Sequence, residues 1–438
     1  MSDSPKSSKP LVLGVVGAVV LAAIAGGYYV GVNTYKSKMQ TQVTKIVNDA
    51  NTASKTYLNG DFVLKSEKDE SADSFSHDRY VFKVFNDGDD KEFLSIIHDN
   101  SYGLTSVDTD IQFKFNTASV DDPEVKELLT KLEQSLSGVS TFSALGKKYS
   151  TEISLTSNKF EKDGNSIEWG KGKFGVKDLP IESSGLATFA GALDSLNLKV
   201  ADPSSPMNMS LNGLNYEADS DDAFIKFDKL SFDLGNDNAS IDKWKTEVKA
   251  KNDFSQKKSS VDFQQSWDKL FVANTFTSLW INQFGDLKIE KFNSDLQFND
   301  MNVATVLDKC KLENNAEGWA KISSCMQDLK GDDAAAVVMS IFSNANGLWK
   351  IGTKVNDSAV KLDLNFKVNG EVKEVFSLMK QVSLKVNLNF DKNLFDNVKP
   401  LAQFKELSQA YLVPKGDQLE AVLECSEAKC NLNGNKLF

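Results

Sequence analysis

The sequence predicts an α+β protein: a single N-terminal transmembrane helix, then a β-rich antiparallel domain with a curved, repeat-like sheet and a helical segment near residues 301–346. Three observations predict this class. Residues 11–32 carry no charge, apolar and polar residues alternate through much of the chain after residue 59, and a helical apolar period appears between 301 and 346. With 438 residues, 41% of them hydrophobic, the chain is long enough to bury a sizeable core.

The segment from Leu11 to Val32 contains 22 residues without a charge. As a helix it rises about 33 Å, which is enough to cross the hydrocarbon of a bilayer. Ala23-Ile24-Ala25 has the small-x-small form of a signal-peptidase site, so a cleaved signal peptide is the alternative. Because apolar residues continue for seven further positions, we favour an anchor. Residues 1–10 are then a cytoplasmic tail, and the bulk of the chain is exported.

Residues 33–58 are predicted to form a juxtamembrane helix. Met39, Val43, Ile46 and Ala50 recur at spacings of four and three residues, the period of a helix seam. We favour a seam that packs on its own domain. The alternative is a stalk that pairs with another chain, which leaves a homodimer open.

From about residue 59 the apolar period becomes two, which predicts half-buried antiparallel strands. We place a β-rich domain at 59–270 and a C-terminal α+β portion with helices and a final hairpin at 271–438. Segments that begin at Ile153 and Met209 share a pattern at an offset of 56 residues. This offset indicates an internal repeat of strand, turn and strand, although convergence of alternating strands would give the same pattern.

Four cysteines form two close pairs, Cys310 with Cys325 and Cys425 with Cys430. In an oxidising compartment this arrangement predicts two local disulfides. The alternating strand LEAVLEC and the four residues that follow predict a hairpin in which the second pair faces across the strands. Free structural thiols and a metal site are the alternatives. The metal site is disfavoured because neither pair is C-x-x-C and no histidine is near.

The composition argues against several classes of function. A net charge of −11 and a single arginine, Arg79, argue against nucleic-acid binding. Of the two histidines, His77 neighbours Asp78 on a strand, where adjacent side chains face opposite sides, and His98 ends an apolar run. The chain contains no nucleophile-elbow, zinc-helix or phosphate-loop motif. We therefore expect no catalytic residues, no bound metal and no cofactor.

The 28 phenylalanines are the most informative residues for a binding function, because many alternate along predicted strands. They form either a closed core or an open groove for acyl chains, and periodicity does not separate the two. The groove candidates are Phe113, Phe115, Phe174, Phe232, Phe298, Phe366 and Phe390.

Several stretches carry a resemblance to a known family. They are GGYYVGVNTYKSKM after the anchor, EISLTSNKFEKDGNSIEWGKGKFGV, GDLKIEKFNSDLQF and the closing LNGNKL. With these the chain resembles the YdgA-like family of Gram-negative envelope proteins, whose function is unknown. The resemblance implies a single-pass inner-membrane anchor at 11–32, a β-rich domain in the periplasm and no known catalysis. Members often carry His-Gly-Pro, whereas here His98 is followed by Asp99-Asn100.

These features predict a non-enzymatic, membrane-anchored periplasmic protein that acts as a scaffold or interaction module in the bacterial envelope. The alternative is a carrier of lipid or another apolar ligand along the phenylalanine-rich face. A hydrolase ranks third, since it requires a cleft in which carboxylates or a serine converge. The expected partners are the inner membrane, other envelope proteins or lipid.

Overall fold

The computed structural model describes residues 47–437 apart from several gaps, the longest of which are 56–61, 181–187, 274–284 and 373–379. The described residues form mostly a large antiparallel β-sheet with few helices, which confirms the β-rich antiparallel prediction. The chain divides into two units, Met1–Asp194 (unit 1) and Ser195–Phe438 (unit 2).

Some predictions concern residues outside this description. The predicted tail 1–10, the anchor 11–32 and the first part of the juxtamembrane helix, 33–46, lie outside the described residues. Among the residues that are described, no helix combines the length and hydrophobicity needed to span a bilayer.

Ten strands begin in unit 1. They are β1 (Phe62–Lys68), β2 (His77–Asn86), β3 (Glu92–Tyr102), β4 (Ser106–Phe115), β5 (Leu136–Ser143), β6 (Lys148–Leu155), β7 (Asn158–Lys162), β8 (Asn165–Trp169), β9 (Gly172–Pro180) and β10 (Thr188–Val200). They pair antiparallel in the order β1–β2–β3–β4–β5–β6–β9–β10, and β7 pairs with β8. Neighbours in sequence are thus mostly neighbours in the sheet.

Strict alternation builds the core of unit 1. In β4, Val107, Ile111, Phe113 and Phe115 are buried while the residues between them are exposed, except the buried Thr109. Helix α1 (Pro123–Ser135) covers this face and buries Leu129. Two features start the helix: proline at its first position, and the Asp122 carboxylate, which accepts hydrogen bonds from the next backbone amides.

The described residues between 47 and 55 are helical, and this segment closes the outer edge of β1. The Asn51 side chain bonds to both backbone groups of Leu64, donating to its oxygen at 3.0 Å and accepting from its nitrogen at 2.7 Å. Ser54 donates to the oxygen of Phe62 at 2.8 Å. Side chains therefore take the place of a neighbouring strand at an edge that would otherwise be open. Val47 and Ala50 pack against the core. Of the predicted seam residues, Met39, Val43 and Ile46 lie outside the described residues.

A chain of hydrogen bonds crosses the core of unit 1. Asn100 donates to one Asp78 oxygen at 2.9 Å, Tyr102 donates to the other at 2.6 Å, and Thr109 donates to Asn100 at 2.7 Å. Asp78 and Asn100 are fully buried. This pairing satisfies the Asp78 carboxylate and ties β2, β3 and β4 in one register.

Unit 2 contains twelve further strands. They are β11 (Met207–Ala218), β12 (Asp222–Asp233), β13 (Asn238–Asp253), β14 (Lys258–Val272), β15 (Leu287–Asn302), β16 (Asn346–Val355), β17 (Ser358–Val368), β18 (Val382–Asp391), β19 (Val413–Lys415), β20 (Gln418–Ser426), β21 (Lys429–Leu432) and β22 (Asn435–Lys436). β11 to β18 pair in sequence order, followed by β20, which also pairs with β19 and β21; β22 pairs with β21.

The helices of unit 2 form two small clusters. α2 (Ala304–Cys310) and α3 (Gly331–Phe342) lie in the predicted helical segment and bury Val306 and Val337 between them. α4 (Leu394–Asn397), α5 (Lys399–Ala402) and α6 (Lys405–Ser408) form the second cluster, between β18 and β19. Phe390 and Phe395 pack together in this second cluster.

The structure differs from the sequence interpretation in two details. The segment from Ile153 forms strands β6 to β9, whereas the segment from Met209 forms only β11 and β12, so the two proposed repeats have different numbers of strands. The predicted boundary near residue 270 falls inside β14.

Candidate functional site

The seven phenylalanine candidates do not share one surface. Phe113 and Phe115 lie in the closed core of unit 1, with 3% and 6% of their surface exposed. Phe174 is half-buried in β9, and Phe390 lies on the same side of the unit 2 sheet as Phe366 but is buried beneath α4 and α5. The remaining three, Phe232, Phe298 and Phe366, lie on one side of the unit 2 sheet, where Phe298 and Phe366 are 5.8 Å apart. The structure thus places the closed core in unit 1 and an apolar surface in unit 2.

We call this side of the unit 2 sheet the apolar face, and the other side the polar face. Strand registers assign its members across β11 to β15. They include Leu214, Tyr216, Ile225, Phe227, Trp244, Thr246, Val248, Val261, Phe263, Gln265, Trp267, Phe292, Ser294, Leu296 and Phe298. On β16 to β20 it continues with Trp349, Ile351, Leu362, Leu364, Phe366, Leu384, Val386, Leu388 and Leu423. None of these positions carries a charge.

One row of residues interrupts the ladders of five adjacent strands. We call it the crease row: Gly213, Asp228, Lys243, Asp268 and Lys291. Gly213, Lys243 and Lys291 have positive φ angles of 66°, 50° and 51°. Each strand therefore contains one extra residue at the same level, as in a β-bulge that runs across the sheet. At β16 the extra residue disappears, and Lys291 with Phe292 stand opposite a single residue.

The crease row keeps the apolar face continuous. The two apolar residues that flank the row in a strand are three positions apart rather than two, as Ile241 and Trp244 are. The acidic residue and the lysine between them turn to the polar face. Lys243 and Asp268 form an ion pair there at 2.8 Å, and both are mostly exposed. In each strand two residues separate two apolar ones: LNGL (211–214), FDKL (227–230), IDKW (241–244), WDKL (267–270) and IEKF (289–292). The middle pair is an acidic residue and a lysine in the last four.

An aromatic row follows the crease row on the apolar face. It consists of Phe227, Trp244, Trp267 and Phe292 on four neighbouring strands. Phe227 stacks on Trp244 with ring centroids 5.1 Å apart, and Trp267 stacks on Phe292 at 3.7 Å. These cross-strand pairs fix the side chains in a flat apolar platform.

The apolar face is half-buried rather than closed. Ile225 and Phe232 are 38% and 37% exposed, compared with 3% for Phe113 in unit 1. The described helices of unit 2 lie toward strand ends. Phe254, in the β13–β14 turn, contacts Trp319 of the first cluster, and the second cluster packs on Leu388 and Phe390 and covers that end of the face. A half-exposed, uncharged surface of this extent is typical of a binding surface.

The polar face has the opposite character. Glu247 pairs with Lys245 at 2.6 Å and Lys249 at 2.9 Å, and these ion pairs lower its pKa. Burial, together with a hydrogen bond and charge repulsion from Asp295, raises the pKa of Asp262. Gln264 donates to Asp262 at 3.2 Å. This side is a hydrated surface with local ion pairs, so only the other side offers an apolar ligand contact.

The described titratable residues do not form a metal site, since no three of His, Cys, Asp or Glu among them cluster closely enough. His77 pairs with Asp99 at 2.7 Å and Asp99 with Arg79 at 2.9 Å, while Asp78 is buried on the other side of the same strand. This confirms that His77 and Asp78 face opposite sides. Burial lowers the pKa of His98 to about 4.

Both disulfides are present with the preferred connectivity. Cys310 and Cys325 have Cα atoms 6.1 Å apart, and Cys425 and Cys430 have Cα atoms 4.1 Å apart. The second pair joins β20 to β21 across the predicted hairpin, and Cys425 lies at the end of the apolar face. No cysteine is free.

Sequence reasoning missed most of the residues of this site. Trp244, Trp267 and Tyr216 went unnoticed because strict alternation fails at the crease row, where the apolar spacing is three. The repeated pattern of an acidic residue and a lysine between two apolar residues was the signal that could have found them. Comparisons of the chain with protein-family models, curated proteins and solved structures find no match.

Proposed function

We propose that unit 2 binds the acyl chains of lipids along its apolar face, as a non-enzymatic carrier in the bacterial envelope. The observation that supports this most directly is an uncharged sheet face that runs across nine strands, β11 to β18 and β20, is partly exposed over most of them and is most exposed at Ile225 and Phe232 on β12. At about 4.8 Å between strands its width is about 38 Å. One leaflet of hydrocarbon is about 15 Å thick, so an acyl chain fits within this face.

Charge favours lipid over protein as the occupant. Protein interfaces have a polar rim and about one hydrogen bond per 100–200 Å². The apolar face offers no charged group over its width, whereas lysines and carboxylates crowd the polar face. A hydrocarbon chain needs no polar partner, so it matches this surface better than a protein segment does.

The proposed location at the inner membrane would bring unit 2 close to lipids. If residues 11–32 anchor the chain in the inner membrane, the exported units are tethered beside a lipid reservoir by residues 33–46. The resemblance to the YdgA-like family supports the same proposal, with the C-terminal units in the periplasm.

The proposal is tested in cells with the full chain and a photo-crosslinking amino acid, p-benzoylphenylalanine, at position 263 or 264. Phe263 lies on the apolar face, and Gln264, one residue on, lies exposed on the polar face. After irradiation we expect lipid adducts by mass spectrometry from position 263 and none from position 264. Absence of lipid adducts from position 263 would contradict the proposal, and protein adducts there would favour an interaction module instead.

A scaffold or interaction module is the second candidate, and one observation favours it. Phe404, Tyr411 and Val413 are 48%, 57% and 48% exposed in the segment between β18 and β20. The same crosslinker at position 411 tests this candidate: adducts with one envelope protein would support it, and a uniform background would count against it.

A further inference from the structure

One cross-strand row of the apolar face contains hydrogen-bonding side chains. We call it the polar row: Tyr216, Thr246, Gln265 and Ser294, joined through Ile225 by strand pairing. It runs directly beside the aromatic row. A surface built only to repel water would not need hydroxyl and amide groups in the middle of its apolar residues. These groups are therefore candidates for ligand recognition.

Two donors at this place have no hydrogen-bond partner within the described part of the chain. They are Thr246 Oγ1 and the indole nitrogen of Trp267, and both are shielded from water. By contrast, Trp349 donates its indole proton to Ser294 at 2.9 Å. A buried donor without an acceptor destabilises the folded protein, because it has given up its hydrogen bond to water. Thr246 pairs with Gln265, two residues from Trp267, so the two donors lie in neighbouring rows where one ligand could approach both.

The surroundings of these two donors suit an uncharged acceptor. None of the apolar-face positions carries a lysine or arginine, so a carboxylate or phosphate held here would lack a counter-ion in a poorly hydrated place. A carbonyl oxygen meets both conditions: it accepts from two donors and needs no counter-charge. Small rotamer changes, common when a ligand binds, bring the indole edge of Trp267 and the Thr246 hydroxyl to it.

We propose that the polar row and Trp267 hold the ester carbonyl of an acyl lipid, with the hydrocarbon chain lying over the aromatic row and beyond it. This inference rests on the proposed acyl-chain function and names the ligand class: long-chain esters rather than free fatty acids. Glycerophospholipids and neutral glycerides both contain this group. In both, the charged or polar headgroup is attached away from the ester, so it can stay in water while the ester is bound.

The experiment places the full chain, with p-benzoylphenylalanine at position 263, in vesicles of equal parts diacyl phosphatidylcholine and its dialkyl ether analogue with the same chains. These two lipids differ only in the ester carbonyls. We expect about a fivefold excess of ester over ether adducts, the equilibrium equivalent of one net hydrogen bond. Adding oleate and dioleoylglycerol separately distinguishes the sources: dioleoylglycerol should form adducts, and oleate should form few.

Paired variants isolate the donors. Thr246→Val with Trp267→Phe keeps an apolar, aromatic surface but removes both donors, so the ester-to-ether ratio should fall to about one while total adducts persist. The control is Thr353→Val. Thr353 lies on the same side of β16 as Ile351, outside the polar row, and its hydroxyl already donates to the Glu290 oxygen at 3.1 Å, so this variant should keep the fivefold excess. Retention of both disulfides by mass reports that each variant is folded.

The possible failures are distinct. Equal ester and ether adducts in the unsubstituted chain would overturn the carbonyl inference and leave the acyl-chain proposal standing. The complete absence of lipid adducts would overturn both. An excess of oleate adducts would show that the face accepts a carboxylate, which would also overturn the inference.

Discussion

His98 shows how a single buried side chain sets the pH dependence of unit 1. It lies in β3 with 1% of its surface exposed, beside the edge of Phe82 at a centroid distance of 4.9 Å. Burial opposes the charged imidazolium and lowers its pKa to about 4. A general base at neutral pH would need access to a substrate, which this position does not offer.

We expect His98 to make the protein sensitive to acid. The unfolded chain binds the imidazole proton below about pH 6.5 and the folded protein only below about 4. Stability is therefore full above pH 6.5 and falls by up to about 3 kcal/mol as the pH drops through this interval. Urea unfolding at pH 7.5 and 4.5 measures the loss, and His98→Gln should reduce it. An equal loss in both proteins would show that other groups are responsible.

Asp262 is expected to have the opposite effect. Burial and the neighbouring Asp295 raise its pKa, so the folded protein holds this proton more tightly than the unfolded chain. Stability then falls as the pH rises from the unfolded value, near 3.9, through the folded one. We expect Asp262→Asn to stabilise the protein at pH 7 by less than about 1 kcal/mol, and to leave it unchanged at pH 3. Thermal unfolding at the two pH values measures both, and destabilisation at pH 7 would contradict the assignment.

At the scale of the element, the crease row depends on left-handed backbone conformations, and at Gly213 this conformation favours glycine. Gly213 has a φ of 66°, and a Cβ atom there would overlap the carboxylate of Asp228. Lys243 and Lys291 adopt positive φ at the same level, so strain is shared along the row.

We expect Gly213→Ala to destabilise the protein by about 1–2 kcal/mol, because alanine is disfavoured in the left-handed region and its methyl group displaces Asp228. The control is Gly352→Ala in β16, where a Cβ atom meets nothing within 4 Å. Its effect should stay within about 0.5 kcal/mol. Urea unfolding compares the two variants, and equal effects would show that the crease conformation is not the cause.

Elements with one uninterrupted period were predictable from the sequence. β4 alternates strictly from Val107 to Phe115, and α1 begins with Asp122-Pro123, so pattern and cap agree. The unit 2 site was harder to predict because a period of two breaks once in each of five strands. The interruption can be interpreted only when the strands are aligned. The extra residues then lie at one level, and this keeps Trp244 and Trp267 on one face.

At the scale of the whole molecule, two disulfides cross-link the chain within unit 2. They close loops of different length, with sequence separations of 15 for Cys310–Cys325 and 5 for Cys425–Cys430. In the chain-entropy description the longer loop contributes more, about 3 kcal/mol against about 2.

We expect the chain purified from the envelope to have a mass about four hydrogens below that of the reduced chain. Replacing Cys310 and Cys325 by serine should destabilise the protein more than replacing Cys425 and Cys430. Intact mass and urea unfolding test the two statements. A reduced chain isolated under alkylating conditions would contradict export into an oxidising compartment.

The crease row also sets which mutations the sheet can survive. Side chains alternate with a period of two, so removing one residue from a strand turns every position on one side of the deletion to the opposite face. Deletion of Lys243 alone would send Trp244 and Thr246 to the hydrated side and Lys245 into the apolar one. Substitutions at the exposed positions of the row should change the stability of the sheet little. Deletion of a single residue should disrupt the sheet severely. The five strands can therefore gain or lose whole hairpins during evolution, but hardly a single residue at this level.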